Sequence, residues 1–265
     1  ILCYLYLNFQ YFSKTLTVEM MKLKNIDINA DLGEGAGFDA ALMPLISSCS
    51  IACGGHFGDE KSMRDTLQLA KKHGVKVGAH PSFPDTDHFG RKVLSMTKNA
   101  LKKSVFEQLL AFYAVCETED IAVHHVKLHG ALYNYAAKDA PTADAVVEAI
   151  TATKLRPKLY VPHGSILHKK AENLLPLVFE AFIDRNYHND LSLVSREHPK
   201  ALIEEPKRAW EQLFAMINRG VVMTVDSEEK QLTASTFCIH GDHQHSVSIL
   251  KYIHEQLKLH SIALS

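Results

Sequence analysis

Residues 25–35 read NIDINADLGEG, and this stretch decides the fold class. Polarity alternates along it with a period of two: Asp27, Asn29 and Asp31 fall on one face of an extended strand, and the apolar residues between them fall on the other. In a closed barrel the outer face packs against helices and is apolar, so the polar face is expected to point inward. Burying such groups is costly unless they pair or serve a ligand. The stretch therefore predicts a barrel strand and the start of a functional site.

Short β-branched runs alternate with longer amphipathic runs through the rest of the chain. We predict strands at residues 25–30, 50–53, 75–79, 123–128, 158–161, 178–183, 221–225 and 236–239, and helices at 62–73, 98–117, 142–153, 165–173, 207–219 and 246–259. Repeated strand–helix units imply parallel strands with right-handed crossovers. Seven or eight units in this length fit a TIM-like (β/α) barrel better than an open sheet. No Gly/Ser- or Pro-rich linker interrupts residues 21–265, so we predict a single barrel domain.

Composition restricts the class of protein. The chain has 265 residues, 46% hydrophobic and 22% charged, which is typical of a soluble globular protein. A net charge of −1 without a basic block argues against nucleic-acid binding. Residues 1–20 lack the pattern of a secretory signal and of a membrane span, so we interpret them as an N-terminal extension outside the domain. Five scattered cysteines, an odd number, favour a reducing cytoplasm over a disulfide framework.

Ionisable residues collect where the predicted strands end. Because barrel enzymes build their sites on the loops at the carboxyl ends of the strands, these residues are expected to meet at one rim although they are far apart in sequence. Sixteen histidines raise the same expectation, since histidine is a common metal ligand and proton carrier. The rim candidates are Asp31, Glu34, His56, His80, Lys127, His129, Asp184, Arg185, His240 and Asp242.

Seven ordered segments carry a family resemblance. They are DINADLGEG (27–35), SIACGGHFGDE (50–60), GAHPSFPD (78–85), FGRK (89–92), VKLHGALYN (126–134), FIDRNY (182–187) and CIHGD (238–242). Together they resemble the LamB/YcsF family from about residue 21 to the C-terminus. The resemblance implies a TIM-like barrel, often seven-stranded, related to the glycoside hydrolase/deacetylase folds. It also implies ATP-dependent hydrolysis of 5-oxo-L-proline to L-glutamate by a 5-oxoprolinase, in which this chain would be the A component beside B and C subunits.

The chemistry of opening a lactam suggests roles for the rim residues. A carboxylate or histidine must position water, cations must meet a phosphoryl group, and donors must meet the developing oxyanion. We assign catalysis to Asp31, Glu34, His56 and His129. We assign substrate or phosphate binding to Lys127, Arg91, Arg185, His80, His240, Asp242 and Asn29. No Walker A motif is present, so the ATP site, with its Mg²⁺, is expected to lie on or between partner subunits or to be shared with them.

Two other functions stay open. One is a metal-dependent, deacetylase-like hydrolase, whose ligands the rim could supply from Asp31, His56, His80, His129, His240 and Asp242, the first three being the leading candidates. The other is a non-catalytic partner subunit that binds a small acid. Histidines on helices or near the terminus, such as His73 and His254, are interpreted as structural, and His243 and His245 as loop variation.

Overall fold

The computed structural model describes residues 24–265, and the predicted extension at residues 1–20 lies outside them. The strands are β1 (Lys24–Leu32), β2 (Ser48–Ala52), β3 (Lys76–His80), β4 (Val123–Lys127), β5 (Lys158–Val161), β6 (Leu177–Phe182), β7 (Val221–Met223), β8 (Glu229–Gln231), β9 (Thr236–His240) and β10 (Ile262–Leu264). The α-helices are α1 (Asp39–Leu42), α2 (Glu60–His73), α3 (Lys98–Thr118), α4 (Gly130–Ala136), α5 (Ala140–Ala152), α6 (Ile166–Ala171), α7 (Pro206–Arg219) and α8 (Ser246–Leu259).

Within residues 24–265, seven parallel strands close into a barrel in the order β1-β2-β3-β4-β5-β6-β9. Strand β9 closes it, because β9 pairs with β6 on one side and with β1 on the other, where Asp31 lies opposite His240. The predicted (β/α) barrel with seven strands is therefore confirmed. Strand β10 adds a short parallel pairing at the start of β1.

One predicted strand does not belong to the barrel. Residues 221–225 were expected to form a barrel strand, but β7 ends at Met223 and pairs antiparallel with β8 in a separate hairpin. A tight turn at Asp226 and Ser227 explains the difference, because it returns the chain antiparallel beside β7. The sequence also failed to predict α4, a short helix that begins at Gly130 directly after His129.

The polar face of β1 turns into the barrel and the apolar face turns outward, as the period of two predicts. Asn29 donates from Nδ2 to Thr236 on the neighbouring strand β9 and to Glu180 on the next strand, β6, contacts that lie on the inner face of the barrel. Ile28 and Ala30 are fully buried in the hydrophobic core between the strands and the helices.

Capping interactions mark the two ends of α2. Asp59 accepts from the backbone of Ser62 and Ser62 in turn accepts from Asp59, which forms a capping box at the start of α2. Gly74 ends the same helix at φ 68°, a left-handed conformation that glycine adopts without strain. None of the helices in residues 24–265 is long and apolar enough to cross a membrane.

Candidate functional site

A cavity of about 280 Å³ opens at the carboxyl ends of the barrel strands. Its walls come from strand ends and from the long connection between β6 and α7 at residues 183–205. Polar side chains from six separate segments therefore face one small volume. Those in the wall include Asp31, Arg91, Lys127, His129, Asn134, Arg185, Arg196 and His240.

Three imidazoles surround the carboxylate of Glu34 beside this cavity. Glu34 Oε1 lies 2.9 Å from His56 Nε2, 3.1 Å from His129 Nδ1 and 3.7 Å from His80 Nε2. His80 Nε2 also lies 3.0 Å from His129 Nδ1 and 3.4 Å from Asp31 Oδ2. All five side chains are buried. The loops after β1, β2, β3 and β4 thus bring five predicted residues into one cluster.

Local structure fixes the orientation of these rings. The ring of His56 stacks on that of His129, with centroids 3.6 Å apart and planes 3° apart. Phe89 packs edge-on against both rings and offers its carbonyl oxygen to His129 Nε2 at 2.9 Å. Phe89 adopts a φ of 55° and Gly90 one of 63°. A Cβ at Gly90 would lie 2.9 Å from both histidines, so the glycine lets the loop approach them closely.

The cluster shifts the protonation of its members. Burial disfavours a charged Asp31, but the positive charges of His80 and Lys127 outweigh it and hold the pKa of Asp31 well below its usual range. Burial likewise opposes ionisation of Glu34, yet His129 and His56 hold its pKa low. Burial lowers the pKa of His56 to about 4. Two carboxylates are therefore charged at neutral pH beside an uncharged His56.

The other two imidazoles respond in opposite directions. Burial lowers the pKa of His129, and Glu34 only partly offsets this. Burial also opposes charge on His80, but the carboxylates of Asp31 and Glu34 outweigh it and raise the pKa of His80. The positive charge that the two carboxylates attract is thus concentrated on His80.

Lys127 lies at the floor of the cavity and is 1% exposed. Its ammonium lies 2.9 Å from Asp31 Oδ1 and 2.9 Å from Glu180 Oε1, and it donates to Asn29 Oδ1 at 3.1 Å and to Cys238 Sγ at 2.9 Å. The ammonium has two carboxylates and two hydrogen-bond acceptors around it. The ammonium of Lys127 is therefore paired with the carboxylates of Asp31 and Glu180 inside the barrel.

A second carboxylate–imidazole group lies across the cavity. Asp184 is fully buried, and its Oδ2 accepts from the backbone N–H of His240 at 2.9 Å. The same oxygen lies 3.0 Å from His240 Nδ1 and 3.2 Å from His243 Nε2. This arrangement holds His240 by Nδ1 and leaves its Nε2 for a ligand in the cavity.

Three arginines make the remaining wall cationic. Arg91 and Arg196 both bind Asp242 Oδ2, Arg196 at 3.2 Å. Burial, together with the neighbouring charge of Arg196, lowers the pKa of both Arg91 and Arg185. Arg185 donates to the carbonyl oxygens of Val194 and Ala201 and so also braces the 183–205 connection.

The structure brings the predicted residues together in two groups. Six of them line the cavity, namely Asp31, Lys127, His129, Arg91, Arg185 and His240, and the others contact these six from behind. Asp31, Glu34, His56, His80, His129, Lys127 and Asn29 form one connected network, while Arg91, Arg185, His240 and Asp242 lie across from it. Their roles stay predictions.

The predicted metal-ligand set is different from the one that the geometry favours. In the described part of the chain, the side chains whose ligating atoms lie within 4.8 Å of one another are Glu34, His80 and His129. They share His80 with the leading candidates and His129 with the wider set of rim residues. Glu34, which was predicted to be catalytic, was not among the candidate ligands, and His56 lies outside the group with its Nε2 2.9 Å from Glu34 Oε1.

Sequence reasoning missed two residues of the site. Arg196 lies in residues 188–205, which carry no periodic pattern and none of the seven family segments, so nothing in the sequence marks it. His243 was interpreted as loop variation, but it contacts Asp184. The only signal for His243 was its position three residues after His240 at a strand end.

Comparisons with known proteins agree with the motif resemblance. The LamB/YcsF family model matches residues 26–265. A protein of Haemophilus influenzae (strain PittEE), named as the A subunit of 5-oxoprolinase, is 39% identical over 244 residues, which cover 92% of this chain and 100% of that protein. A protein of Symbiobacterium thermophilum with the same name is 40% identical over 248 residues, covering 91% and 95%.

Solved structures share the barrel fold of this chain. The crystal structure of a lactam utilization protein from Thermus thermophilus aligns with a TM-score of 0.84 and 35% identity, covering 91% of this chain and 98% of that one. A family 4 carbohydrate esterase from Streptomyces lividans aligns with a TM-score of 0.50 over 91% and 92% of the two chains, but at 7% identity it shares the fold alone. The family match and the near full-length relatives together show that this chain belongs to the LamB/YcsF family.

Proposed function

We propose that this chain is the A component of an ATP-dependent 5-oxoprolinase, which opens 5-oxo-L-proline to L-glutamate while ATP is cleaved to ADP and phosphate. The observation that carries the proposal is the near full-length similarity to proteins named as the A subunit of 5-oxoprolinase. The name of the Thermus relative, a lactam utilization protein, supports the same substrate class.

The reaction explains why the cavity needs both carboxylates and cations. A five-membered lactam is a stabilised amide that water attacks slowly. Transfer of the γ-phosphoryl group of ATP to the amide oxygen gives an imidate-like species. Water then adds to its carbon, and the ring C–N bond breaks to give the amine and an acyl phosphate on the new carboxyl group. A second water hydrolyses this acyl phosphate to glutamate and phosphate. The two hydrolytic steps need a proton acceptor for water, and all three steps need positive charge near the phosphoryl oxygens.

Asp31 is the carboxylate best placed to hold and orient the attacking water, because it is ionised and lies in the cavity wall; its low pKa makes it a weak base, so we assign the proton to a neighbouring imidazole. His129 and His240 lie in the same wall and are within reach for passing the proton to the ring nitrogen. Lys127 is surrounded by its partners, so we assign it the role of keeping Asp31 ionised.

The arginine side chains in the cavity wall are suited to bind the negatively charged groups of the reactants. Arg91, Arg185 and Arg196 offer guanidinium groups that bind carboxylates or phosphoryl oxygens in a bidentate manner. Because the chain has no Walker A motif, we propose that ATP with its Mg²⁺ binds on or between the B and C subunits and that the activated lactam reaches this cavity.

Reconstitution with the two partner subunits tests the proposal. We expect 5-oxoproline-dependent ATP hydrolysis and glutamate release in equal amounts, and we expect Asp31→Ala and His129→Ala to abolish both while the circular dichroism spectrum is retained. His124→Ala is the matched control, since His124 lies on the same strand as Lys127 but near its beginning, away from the cavity. Near wild-type turnover in both cavity variants would contradict the assignment.

A further inference from the structure

We propose that Glu34, His80 and His129 form a binding site for a first-row divalent transition-metal ion of the Zn²⁺ type. The inference concerns the ion alone and does not depend on which substrate the cavity accepts. It rests on where the lone pairs of these three side chains point, on their spacing, and on the groups that hold them.

The backbone decides which ring nitrogens carry hydrogen. His80 Nδ1 lies 2.9 Å from the carbonyl oxygen of Lys127, and His129 Nε2 lies 2.9 Å from the carbonyl oxygen of Phe89. A carbonyl oxygen only accepts, so both of these nitrogens must donate. In the neutral rings the other nitrogens, His80 Nε2 and His129 Nδ1, are therefore bare lone pairs.

Those two lone pairs point at each other and at a carboxylate. His80 Nε2 and His129 Nδ1 are 3.0 Å apart, and Glu34 Oε1 lies 3.1 Å from the second of them. Three acceptors in contact repel one another unless a proton on His80 Nε2 or a cation lies between them, and a bound metal ion would take the place of that proton. The site is buried, so water screens this repulsion poorly.

The spacing is that of a metal coordination sphere. Ligand atoms at 2.0–2.1 Å from a tetrahedral ion are about 3.3 Å apart, and at a right angle on the same ion they are about 2.9 Å apart. The three separations here are 3.0, 3.1 and 3.7 Å. Asp31 Oδ2, 3.4 Å from His80 Nε2, is a fourth donor within the same range. An ion fits among these atoms with only small side-chain shifts.

The hydrogen-bond partners of the three ligands are of the kind found in protein metal sites. Each ligating histidine donates its second N–H to a backbone carbonyl, which fixes its tautomer and its orientation. His56 Nε2 donates to Glu34 at 2.9 Å and so orients the carboxylate without ligating the ion. Phe89 holds its carbonyl toward His129 from a left-handed backbone conformation, φ 55°, that a non-glycine residue adopts at a cost.

Ligand chemistry selects the kind of ion. Two imidazole nitrogens with a carboxylate suit Zn²⁺, Co²⁺ or Fe²⁺, whereas Mg²⁺ prefers oxygen ligands and retains its waters. Asp31 and His129 line the cavity, so the ion would border the space in which a substrate binds. When bound, it would supply Lewis acidity and lower the pKa of a coordinated water.

Metal titration of the full chain, with no substrate present, tests the site. The protein is treated with a chelator, desalted, and titrated separately with Zn²⁺, Co²⁺ and Mg²⁺ by calorimetry, and the bound metal is counted by mass spectrometry after dialysis. We expect one equivalent of Zn²⁺ or Co²⁺, no comparable binding of Mg²⁺, and a rise in Tm on addition of Zn²⁺. We expect Glu34→Gln and His129→Gln to reduce Zn²⁺ affinity by more than tenfold, and His56→Gln to reduce it by about 10–100-fold.

His124→Gln is the matched control, because it removes a partly exposed histidine at the opposite end of β4 and should leave the affinity unchanged. If a ligand variant fails to fold, the visible spectrum of the Co²⁺-loaded wild type still decides, since four-coordinate cobalt with imidazole ligands absorbs far more strongly than hydrated Co²⁺ and should lose its bands to competing Zn²⁺. Absence of stoichiometric Zn²⁺ and Co²⁺ in the wild type, equal affinity in the ligand variants, or equal binding of Mg²⁺ would overturn the proposal. Because no turnover is measured, failure here is distinct from failure of the 5-oxoprolinase function.

Discussion

His125 shows how a histidine inside this barrel serves as packing. It is fully buried, its ring stacks on Tyr160 with centroids 4.0 Å apart, and its Nε2 lies 3.1 Å from Ser50 Oγ. Gly78 on the neighbouring strand makes room, because a Cβ there would lie 2.4 Å from the ring. Burial, reinforced by the charges of His124 and Lys127, holds the pKa of His125 well below its usual value. His125 is therefore a neutral core ring.

This protonation makes stability depend on pH. Below about pH 6.5 the unfolded chain binds a proton at His125 and the folded chain does not, so the free energy of unfolding falls as pH falls, by up to about 1.4 kcal/mol per pH unit for one such group. We expect the free energy of unfolding of His125→Gln to depend less steeply on pH than that of the wild type, by the contribution of this one proton. Urea unfolding between about pH 7.5 and 5, with chelator present, measures it. The exposed His73→Gln is the control and should keep the wild-type slope; an unchanged slope in His125→Gln would refute the account.

Single-residue reasoning from sequence found strand-end residues but could not tell a ligand from a core ring. Asp31, His80 and His129 were predictable because each lies at or just after the carboxyl end of a predicted strand. His125 shares the strand face of Lys127 by the same spacing, and nothing in the local sequence says that it packs on Tyr160 instead of entering the site. That distinction depends on contacts between strands, which the pattern along one strand does not contain.

At the scale of elements, the 183–205 connection builds one cavity wall, and α7 holds its beginning in place. Gln212 on α7 donates from Nε2 to the carbonyl oxygens of Phe182, Ile183 and Arg185 at 2.9, 3.2 and 2.9 Å. These carbonyls follow the end of β6, where the sheet no longer supplies partners. One amide thus positions the backbone around Asp184.

We expect Gln212→Leu to destabilise the protein by about 1–3 kcal/mol, because it leaves partly buried carbonyl oxygens without a donor. The loss should extend to the site, since the carboxylate of Asp184 holds His240. Chemical denaturation gives the free energy, and hydrogen exchange of the His240 amide, which donates to Asp184, reports the local effect. Glu211→Leu on the exposed side of the same helix is the control. Equal stability of the two variants would show that Gln212 does not brace the wall.

Element prediction failed where local pattern and long-range pairing disagree. Residues 221–225, VVMTV, are as β-branched as the true barrel strands, and the alternating order of the chain made a barrel position natural. The structure pairs β7 with β8 because a turn at Asp226 and Ser227 brings the next residues back antiparallel. Short apolar runs do not reveal their partner strand.

At the scale of the whole molecule, one buried charge network joins strands from opposite sides of the barrel. Lys127 on β4 contacts Asp31 on β1, Glu180 on β6 and Cys238 on β9. The sequence predicted that these polar residues face inward. It could not predict that they pair with one another, because the pairing requires β9 to close against β1 after some two hundred intervening residues.

The network makes a prediction about folding as a whole. Lys127→Met removes the ammonium that these partners share and leaves the carboxylates of Asp31 and Glu180 buried without it, so we expect a loss of about 3–5 kcal/mol. The double variant Lys127→Met/Glu180→Gln removes one of the two charges as well and should be less destabilised than Lys127→Met alone. Lys102→Met, which breaks a solvent-exposed pair with Glu148, is the matched control and should cost no more than about 1 kcal/mol. Urea unfolding of the four proteins measures the difference. If the double variant were the least stable, the two carboxylates would not be repelling each other in the folded barrel, and the role of Lys127 would be confined to packing against Phe182.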